Sequence, residues 1–530
     1  MRAPFVALCL SLVSSCSLLI DKKADQCASD RDCVRFPGTT CDQELRLCST
    51  EVGLHDAGKR PKTVESDAGA PKDAPADVAD PCSDPSGCFA CTPTTDQQFA
   101  NACSPARCHP FDNEARLKRR DASLLPLLTY TLASEVRDAG KEGTVPMPVV
   151  DAGTVDAGPN GPATVDCDAL VNPIYVAGSS AAKPFLAEIA KILAVQVPPV
   201  SVVYAGQGSC TGVAAIVLGT PVPGPFAYWD GMGTEQSCTT PGGVVVDLGI
   251  SDVFATTCMR LSGGLPSNVG DFLGPVQTMT FVTPKASTQE TISAEAAYLA
   301  FGFGGDSGAA PWENEALLFQ RDDQSGTQRM VGAAIGLDPA RFRGTRTSSS
   351  GDLKTKVSTA MPPEAGLGIL ATDVAQENRA LLKILAYQHA GQRCGYYPDR
   401  DESSNEKQNV RDGHYAIWGP LHFLTLLGNS GYARKPTVGD IIGFMTGTKA
   451  PPLSLDLIAL EAQRHVVPQC AMRVKRTEEI GPLASFVSPQ PCGCYYEKVA
   501  NGSTACAPCR AKSDCPMSAT ACSYGYCEGP

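Results

Sequence analysis

The sequence predicts an α/β protein in which strands end in small, hydroxyl-bearing turns that lead directly into helices. Three such units occur, each with β-branched or aromatic residues, then glycine with serine or threonine, then apolar residues at helical spacing. In an open α/β sheet, helices that follow the carboxyl ends of strands point their N-termini at one edge, where ligands bind. Three hydroxyl-rich turns therefore predict one polar ligand site.

The first two units lie in the N-terminal half of the predicted domain. The strand Ile174–Val176 leads into Gly178–Ser180, and the strand Ser201–Tyr204 leads into Gly206–Ser209. A further strand, Leu248–Asp252, ends in a carboxylate. Helix N-termini offer unpaired N–H groups and a partial positive charge, so these turns favour an anion as the ligand.

The third unit is Arg321–Thr327, which reads RDDQSGT, between a short predicted strand at Leu317–Phe319 and a helix containing Met330 and Ile335. The guanidinium of Arg321 offers a planar fork of donors that matches a carboxylate or a phosphate. Taken alone, Ser-Gly-Thr before a helix is also a common helix cap. The repetition of the same pattern upstream is what favours a binding site.

Four separated stretches resemble, in order, the anion-binding motifs of the periplasmic phosphate-binding proteins of ABC uptake systems. They are Gly178–Pro184 (GSSAAKP), Tyr204–Gly212 (YAGQGSCTG), Gly249–Asp252 (GISD) and Arg321–Thr327 (RDDQSGT). The resemblance covers residues 168–430. It implies a two-lobed periplasmic binding protein fold of type II, the Venus flytrap, within the α/β class. It also implies that the chain crosses between lobes near Thr278–Pro284 and again near Ala371–Arg393.

The resemblance implies the site residues as well as the fold. Phosphate or a similar oxyanion is expected in the interlobe cleft, with an ABC permease as a possible partner and with no cofactor and no metal. Arg321 is the expected cation, Asp323 orients it, and Asp252 accepts a proton from the ligand. The remaining expected ligand residues supply hydroxyls or backbone N–H groups: Ser179, Ser180, Ser209, Ser325, Gly326 and Thr327.

Two departures from the family concern the ligand. Ala181 stands where the family often has a ligand hydroxyl, so either Ser180 replaces that hydroxyl or one hydrogen bond to the ligand is missing. The stretch Thr220–Asp247 is a long insert between the second turn and the aspartate strand, expected near the mouth of the site.

The N-terminus predicts export. Residues 1–15 read as a signal peptide, and Val13–Cys16 resembles a bacterial lipobox, which predicts cleavage before Cys16 and acylation of its thiol. The alternative is an ordinary signal peptide. Lipidation would anchor the protein to a lipid bilayer in the cell envelope, at the outer membrane or the periplasmic face.

The chain has 24 cysteines, and export makes disulfides the expected state. We predict Cys-rich modules at residues 16–50, 82–112 and 491–530, of which the first and last share a spacing (CASDRDC and CRAKSDC). Residues 51–81 and 113–165 are predicted disordered linkers, because much of each is rich in Asp-Ala-Gly and poor in large apolar residues. Residues 166–490 form the predicted binding domain. Cys88–Cys91 and Cys506–Cys509 have spacing that leaves zinc as an alternative.

Other functions are disfavoured. The net charge of −12 and the isolation of the basic run Arg116–Arg120 argue against nucleic acid as a partner. Gly305–Gly308 (GDSG) spells the nucleophile stretch of a serine protease, but no histidine upstream sits in the setting that this chemistry needs. We therefore predict a binding protein and not an enzyme. The alternative is a non-transporting cell-envelope interaction protein built on a flytrap core.

Overall fold

The structure is a computed structural model, and it describes residues 40–42, 47–49, 82–84, 87–118, 165–451 and 455–529. The predicted signal peptide, Cys16 and the two linkers, apart from short stretches at their ends, lie outside the described residues. The chain divides into two compact units, Met1–Val78 and Ala79–Pro530. In the first unit, β1 (Thr40–Asp42) and β2 (Leu47–Ser49) form an antiparallel pair. No helix in the described part of the chain is long and apolar enough to cross a membrane.

The second unit alternates strands and helices. Its strands are β3 (Val165–Asp166), β4 (Pro173–Gly178), β5 (Ser201–Ala205), β6 (Phe226–Trp229), β7 (Glu235–Thr239), β8 (Leu248–Ser251), β9 (Val269–Pro284), β10 (Thr291–Ser293), β11 (Leu318–Arg321), β12 (Thr345–Thr347), β13 (Leu367–Ala371), β14 (Leu382–Ile384), β15 (Ala386–Gln388), β16 (Trp418–Leu426), β17 (Val474–Lys475), β18 (Ala484–Ser485), β19 (Ala521–Ser523) and β20 (Tyr526–Glu528). Its α-helices are α1 (Asp96–Ala100), α2 (Asn113–Arg116), α3 (Lys183–Val195), α4 (Ser209–Val217), α5 (Ala255–Cys258), α6 (Ala294–Phe303), α7 (Gly326–Ile335), α8 (Ser350–Ser358), α9 (Thr372–Glu377), α10 (Gln408–Arg411), α11 (Pro436–Thr446), α12 (Leu457–Gln463) and α13 (Gly493–Asn501).

Twelve strands of the described second unit form one mixed sheet, in the order β12-β11-β13-β9-β16-β8-β4-β5-β6-β7-β3, with β14 also paired to β9. The long strand β9 joins two halves of this sheet. It pairs with β16 as far as Thr278 and with β13 from Met279 onward. The α/β class predicted from the sequence is confirmed.

Of the two predicted crossings between the halves of the sheet, the structure agrees with the first and differs from the second. The chain passes from the first half to the second at Thr278, inside the predicted crossing. The predicted return at Ala371–Arg393 is wrong, because β14 still pairs with β9 in the second half and the chain returns only at Trp418, where β16 begins. Tyr397 and Tyr415 are buried in the core of the second half, which holds the intervening chain there.

Apolar side chains fill both faces of the first half of the sheet. Alternate residues of β4 point to opposite faces, as in any strand. Val176 packs in a cluster with α3 and α11, whereas Ala177 packs in a cluster with α4. These helices are therefore fixed against the strands whose ends form the predicted turns.

The insert Thr220–Asp247 forms the hairpin β6–β7, which extends the sheet beyond β5. A disulfide between Cys167 and Cys238 ties this hairpin to the chain beside β3. Its contact with the second predicted turn is a hydrogen bond of 2.7 Å from Gln207 Nε2 to the Pro223 carbonyl. Glu235 of β7 also pairs with Lys183 of the first predicted turn at 2.6 Å. The insert thus mainly builds the sheet edge and contacts the first two predicted turns from that edge.

Every cysteine whose side chain the structure describes is disulfide-bonded. The pairs are Cys82–Cys91, Cys88–Cys103, Cys108–Cys394, Cys167–Cys238, Cys210–Cys258, Cys470–Cys492, Cys494–Cys506, Cys509–Cys522 and Cys515–Cys527. Each predicted Cys-x-x-Cys pair is split between two disulfides, so in these segments the disulfide interpretation holds and zinc does not. The side chains of Cys27, Cys33, Cys41 and Cys48 lie outside the described residues.

The two Cys-rich segments near the ends of the second unit are built into its core. Phe99 and Phe111 of the earlier segment and Tyr496 of the C-terminal segment are buried in the main apolar cluster. The disulfide Cys108–Cys394 adds a covalent link to the chain that follows β15. These segments therefore stabilise the domain that carries the site.

Candidate functional site

The N-termini of α4 and α7, one from each half of the sheet, lie side by side. The backbone N–H of Cys210 in α4 donates to the carbonyl of Gln324, just before α7, at 3.1 Å. Gly208, which precedes α4, has φ +100°, and a Cβ there would lie 2.7 Å from that same carbonyl oxygen. Only glycine allows this approach. Within the described chain no side chain caps either helix. The Cys210 N–H of α4 is already bonded to the Gln324 carbonyl, so the N–H groups that remain for a ligand are chiefly those at the start of α7.

Asp252, directly after β8, accepts hydrogen bonds from two serines that the sequence predicts as site residues. Ser179 Oγ donates to Asp252 Oδ1 at 2.6 Å, and Ser209 Oγ donates to Oδ2 at 3.0 Å. The backbone N–H of Asp252 in turn donates to Ser209 Oγ at 3.1 Å. Burial raises the pKa of the Asp252 carboxyl, while the two hydroxyls and the charge of Arg321 act to lower it.

Gly326, the first residue of α7, lies against this cluster. A Cβ at this position would be 2.3 Å from Ser209 Oγ and 2.7 Å from Asp252 Oδ2. Any side chain at position 326 would therefore push α7 away from Asp252. The glycine brings the positive end of α7 close to a carboxylate that comes from the other half of the sheet.

Arg321, at the end of β11, is 5% exposed and is held from one side. Its Nη1 donates to Ser350 Oγ at 2.7 Å, and its Nη2 lies 3.5 Å from the Ser348 carbonyl and 3.7 Å from Asp322 Oδ2. Its Nε is buried and has no hydrogen-bond partner among the described residues. Burial lowers the pKa of the guanidinium, whereas the charges of Asp322 and Asp252 raise it.

The remaining predicted residues are placed as follows. Ser325 and Thr327 are buried at the start of α7, and the Thr327 hydroxyl lies 3.3 Å from the Met279 sulfur. Ser180 is exposed at the start of a 3-10 turn, whereas its neighbour Ser179 is buried. The orienting carboxylate expected at Asp323 is corrected, because the residue beside the guanidinium is Asp322.

Sequence reasoning missed several residues that shape the site. Ser350 follows β12 and opens α8, so β12, Ser348–Ser350 and α8 make a fourth strand–turn–helix unit whose serine run could have been recognised. The Tyr204 hydroxyl donates to the Ser179 carbonyl and fixes the first turn. The disulfide Cys210–Cys258 ties the first turn of α4 to α5, which follows Asp252. Cysteine spacing alone does not reveal this pairing.

The GDSG stretch belongs to a local turn. Ser307 is fully buried directly after the 3-10 turn Gly304–Asp306, and its Oγ accepts a hydrogen bond from the Ala309 N–H at 3.3 Å. This contact supports the interpretation of the stretch as a polar loop before Trp312.

The site as a whole combines a buried cation with its neighbour Asp322, two helix N-termini, and Asp252, which lies against both helix starts. The donors suit an anion, and the carboxylate suits an anion that carries a proton. This chemistry follows from groups that both halves of the sheet contribute.

Comparisons with known proteins give likeness in fold only. No protein-family profile and no curated protein sequence matches the chain. A putative phosphate ABC transporter substrate-binding protein from Clostridium perfringens, solved with bound phosphate, is similar at 14% identity and a TM-score of 0.39, covering 56% of this chain and 99% of that one. A possible phosphate-binding protein from Planctomyces limnophilus is similar at 16% identity and a TM-score of 0.36, covering 56% of this chain and 93% of that one.

A third similar structure is an OxyR mutant from Corynebacterium glutamicum. It is 11% identical with a TM-score of 0.31, and the likeness covers 57% of this chain and 68% of that one. At these identities and TM-scores the likenesses carry no argument about function, which must rest on the site.

Proposed function

We propose that this chain is an exported solute-binding protein that holds an oxyanion, foremost phosphate, in a cleft between two lobes. The observation that carries the proposal is the buried Arg321, whose Nε has no partner in the described structure and whose charge acts on Asp252. A buried donor left without a partner costs about 1–3 kcal/mol. An oxyanion beside the N-terminus of α7 would remove that cost and add charge-assisted hydrogen bonds.

The two halves of the sheet are the expected lobes. They share the long strand β9, and they meet at the site through Gly326, Ser209 and Asp252. Ligand contacts supplied by both halves would favour the arrangement in which those halves are close together.

Phosphate fits this site better than an oxyanion without protons. Near neutral pH phosphate keeps at least one proton, which it can share with Asp252. A fully ionised anion would place its charge against a buried carboxylate with no proton between them.

Phosphate should raise the thermal unfolding midpoint of the mature protein. A ligand that binds only the folded state stabilises it by about 2.7 kcal/mol when present at a hundred times its dissociation constant. The midpoint is measured in sodium phosphate and in sodium chloride at equal ionic strength. Equal midpoints in both salts over a wide range of phosphate concentration would contradict the proposal.

Membrane attachment through Cys16 is a separate proposal that rests on the Val13–Cys16 sequence. Wild-type protein should occur in the membrane fraction, and Cys16→Ala should release it in soluble form, because the acyl chains are the anchor. Cys9→Ala, within the predicted signal peptide, is the matched control and should not change the fractionation. Mass spectrometry that finds the Cys16 thiol unmodified in the mature protein would contradict this proposal.

We include in the proposal that the exported protein delivers its ligand to an ABC permease. The competing function, an envelope interaction protein, would use the Cys-rich segments as binding modules. In the second unit these segments bury Phe99, Phe111 and Tyr496 in the domain core. That packing favours a stabilising role for them.

A further inference from the structure

Asp373 lies in the first turn of α9, on the side of the site where β9 passes between the halves of the sheet. It is 6% exposed, and its Oδ1 accepts a hydrogen bond of 3.1 Å from Gln277 Nε2 on β9. Gln277 stands opposite Gly419 of β16, and a Cβ at Gly419 would lie 3.2 Å from the Asp252 carbonyl oxygen. Two residues further along β9, Met279 contacts the Thr327 hydroxyl. Asp373 and Gln277 therefore lie beside the start of α7 and beside Asp252.

This region holds buried polar atoms that lack partners. Gln277 Oε1 and Thr372 Oγ1 are both fully buried and, within the described residues, form no hydrogen bond. Thr278 Oγ1 on β9 and Arg321 Nε on β11 are likewise buried without a partner among the described residues. A polar ligand with several hydrogen-bonding atoms could pair with such groups, whereas a bare charge could not.

The charges at the site do not balance without protons. Arg321 is opposed by Asp322 at 3.7 Å and, through longer-range interactions, by Asp252. Asp373 adds a further carboxyl. The pKa of Asp373 is raised to about 7, chiefly by burial; the charges of Glu377 and Asp252 act in the same direction, whereas hydrogen bonds from the Val374 N–H and Gln277 act to lower it.

Two of the three cations on the elements packed against α9 are engaged elsewhere, and the third, Lys354 of α8, has no ion pair or hydrogen bond with Asp373 in the described structure. Lys383 of β14 donates to the Ser287 carbonyl, and Lys356 of α8 pairs with Asp352 at 3.7 Å. An anion bound beside these carboxyls is therefore best accommodated together with protons.

We propose that Asp373 is a second proton-sharing carboxyl of the site, so that the cleft takes up phosphate in its dihydrogen form, with one proton shared with Asp252 and one with Asp373. This inference rests on the proposed function and specifies the ionic form of its ligand. Binding then takes up protons, so the affinity for phosphate falls as the pH rises through neutrality.

The test counts the protons taken up when phosphate binds to the mature protein. Calorimetric titrations at about pH 8, in buffers of different ionisation enthalpy, should show about one proton more bound by wild type than by Asp373→Asn. Gln277→Met is a second variant. It deletes the amide that stabilises ionised Asp373, so the carboxyl should already be protonated in the free protein and proton uptake should fall as well.

The control is Asp440→Asn, which removes an exposed carboxylate of α11 that is not among the groups acting on the pKa of Asp373, and it should leave proton uptake unchanged. Equal uptake by wild type and Asp373→Asn would overturn the inference while leaving phosphate binding intact. Should Asp373→Asn fail to fold, unchanged uptake in Gln277→Met would overturn it. Absence of phosphate binding by folded wild type would instead contradict the proposed function itself.

Discussion

Replacing Arg321 by alanine should weaken phosphate binding by about a hundredfold or more. Hydrogen bonds to charged groups contribute on the order of 1.5–3 kcal/mol each, and each 1.4 kcal/mol is a factor of ten in affinity. The substitution also leaves Asp322 and Asp252 without the opposing charge that now acts on both. Isothermal titration calorimetry of folded wild-type and variant protein measures the change.

Two further variants test whether the loss of affinity is due to the guanidinium group at position 321. Arg321→Lys keeps the charge but loses the planar fork, so its affinity should lie between wild type and Arg321→Ala. Arg346→Ala removes an exposed arginine from β12, the strand beside β11, and should bind phosphate as wild type does. Unchanged affinity in Arg321→Ala would mean that the anion sits elsewhere.

Replacing Asp252 by asparagine should narrow the preference for phosphate over sulfate. Wild type should reject sulfate, because sulfate has no proton to share with the carboxylate. A sulfate oxygen and an Asp252 oxygen, both hydrogen-bond acceptors, would then be in contact with no proton between them. Rejection of this kind can reach several powers of ten. Asparagine can donate, and the hydroxyls of Ser179 and Ser209 that now donate to Asp252 can rotate to accept.

Competition of sulfate against bound phosphate, in wild type and Asp252→Asn, measures this effect. Asp440→Asn, which removes an exposed carboxylate of α11, is the control and should discriminate as wild type does. If sulfate displaces phosphate equally well from wild type and from Asp252→Asn, then Asp252 does not distinguish a protonated ligand from an unprotonated one.

The sequence reveals the parts of the site that follow the local pattern of strand, hydroxyl turn and helix. Ser179, Ser209, Asp252 and Gly326 are brought into contact, because each lies where a strand end meets a helix start. The carboxyl ends of parallel strands lie at one edge of a sheet, so turns that are far apart in the chain come together at that edge. Local pattern is therefore a good guide to this part of the molecule.

The residues that the sequence did not reveal depend on tertiary contacts. The choice of Asp322 over Asp323 depends on how the turn after β11 bends, and Ser350 reaches Arg321 only because β12 pairs with β11. The chain returns to the first half later than the sequence predicts, because side chains as distant as Tyr415 complete the core of the second half. Asp373 has no motif at all, and only the pairing of β9 with β13 and β16 places it at the site.

The central claim is that an oxyanion binds where α4 and α7 meet, and a crystal structure of the mature protein grown with phosphate tests it most directly. We expect phosphate to accept hydrogen bonds from Arg321 Nε and from the N–H groups at the start of α7, with one of its oxygens against Asp252. Phosphate bound only at other positions, or Arg321 Nε paired with a protein group when phosphate is present, would contradict it.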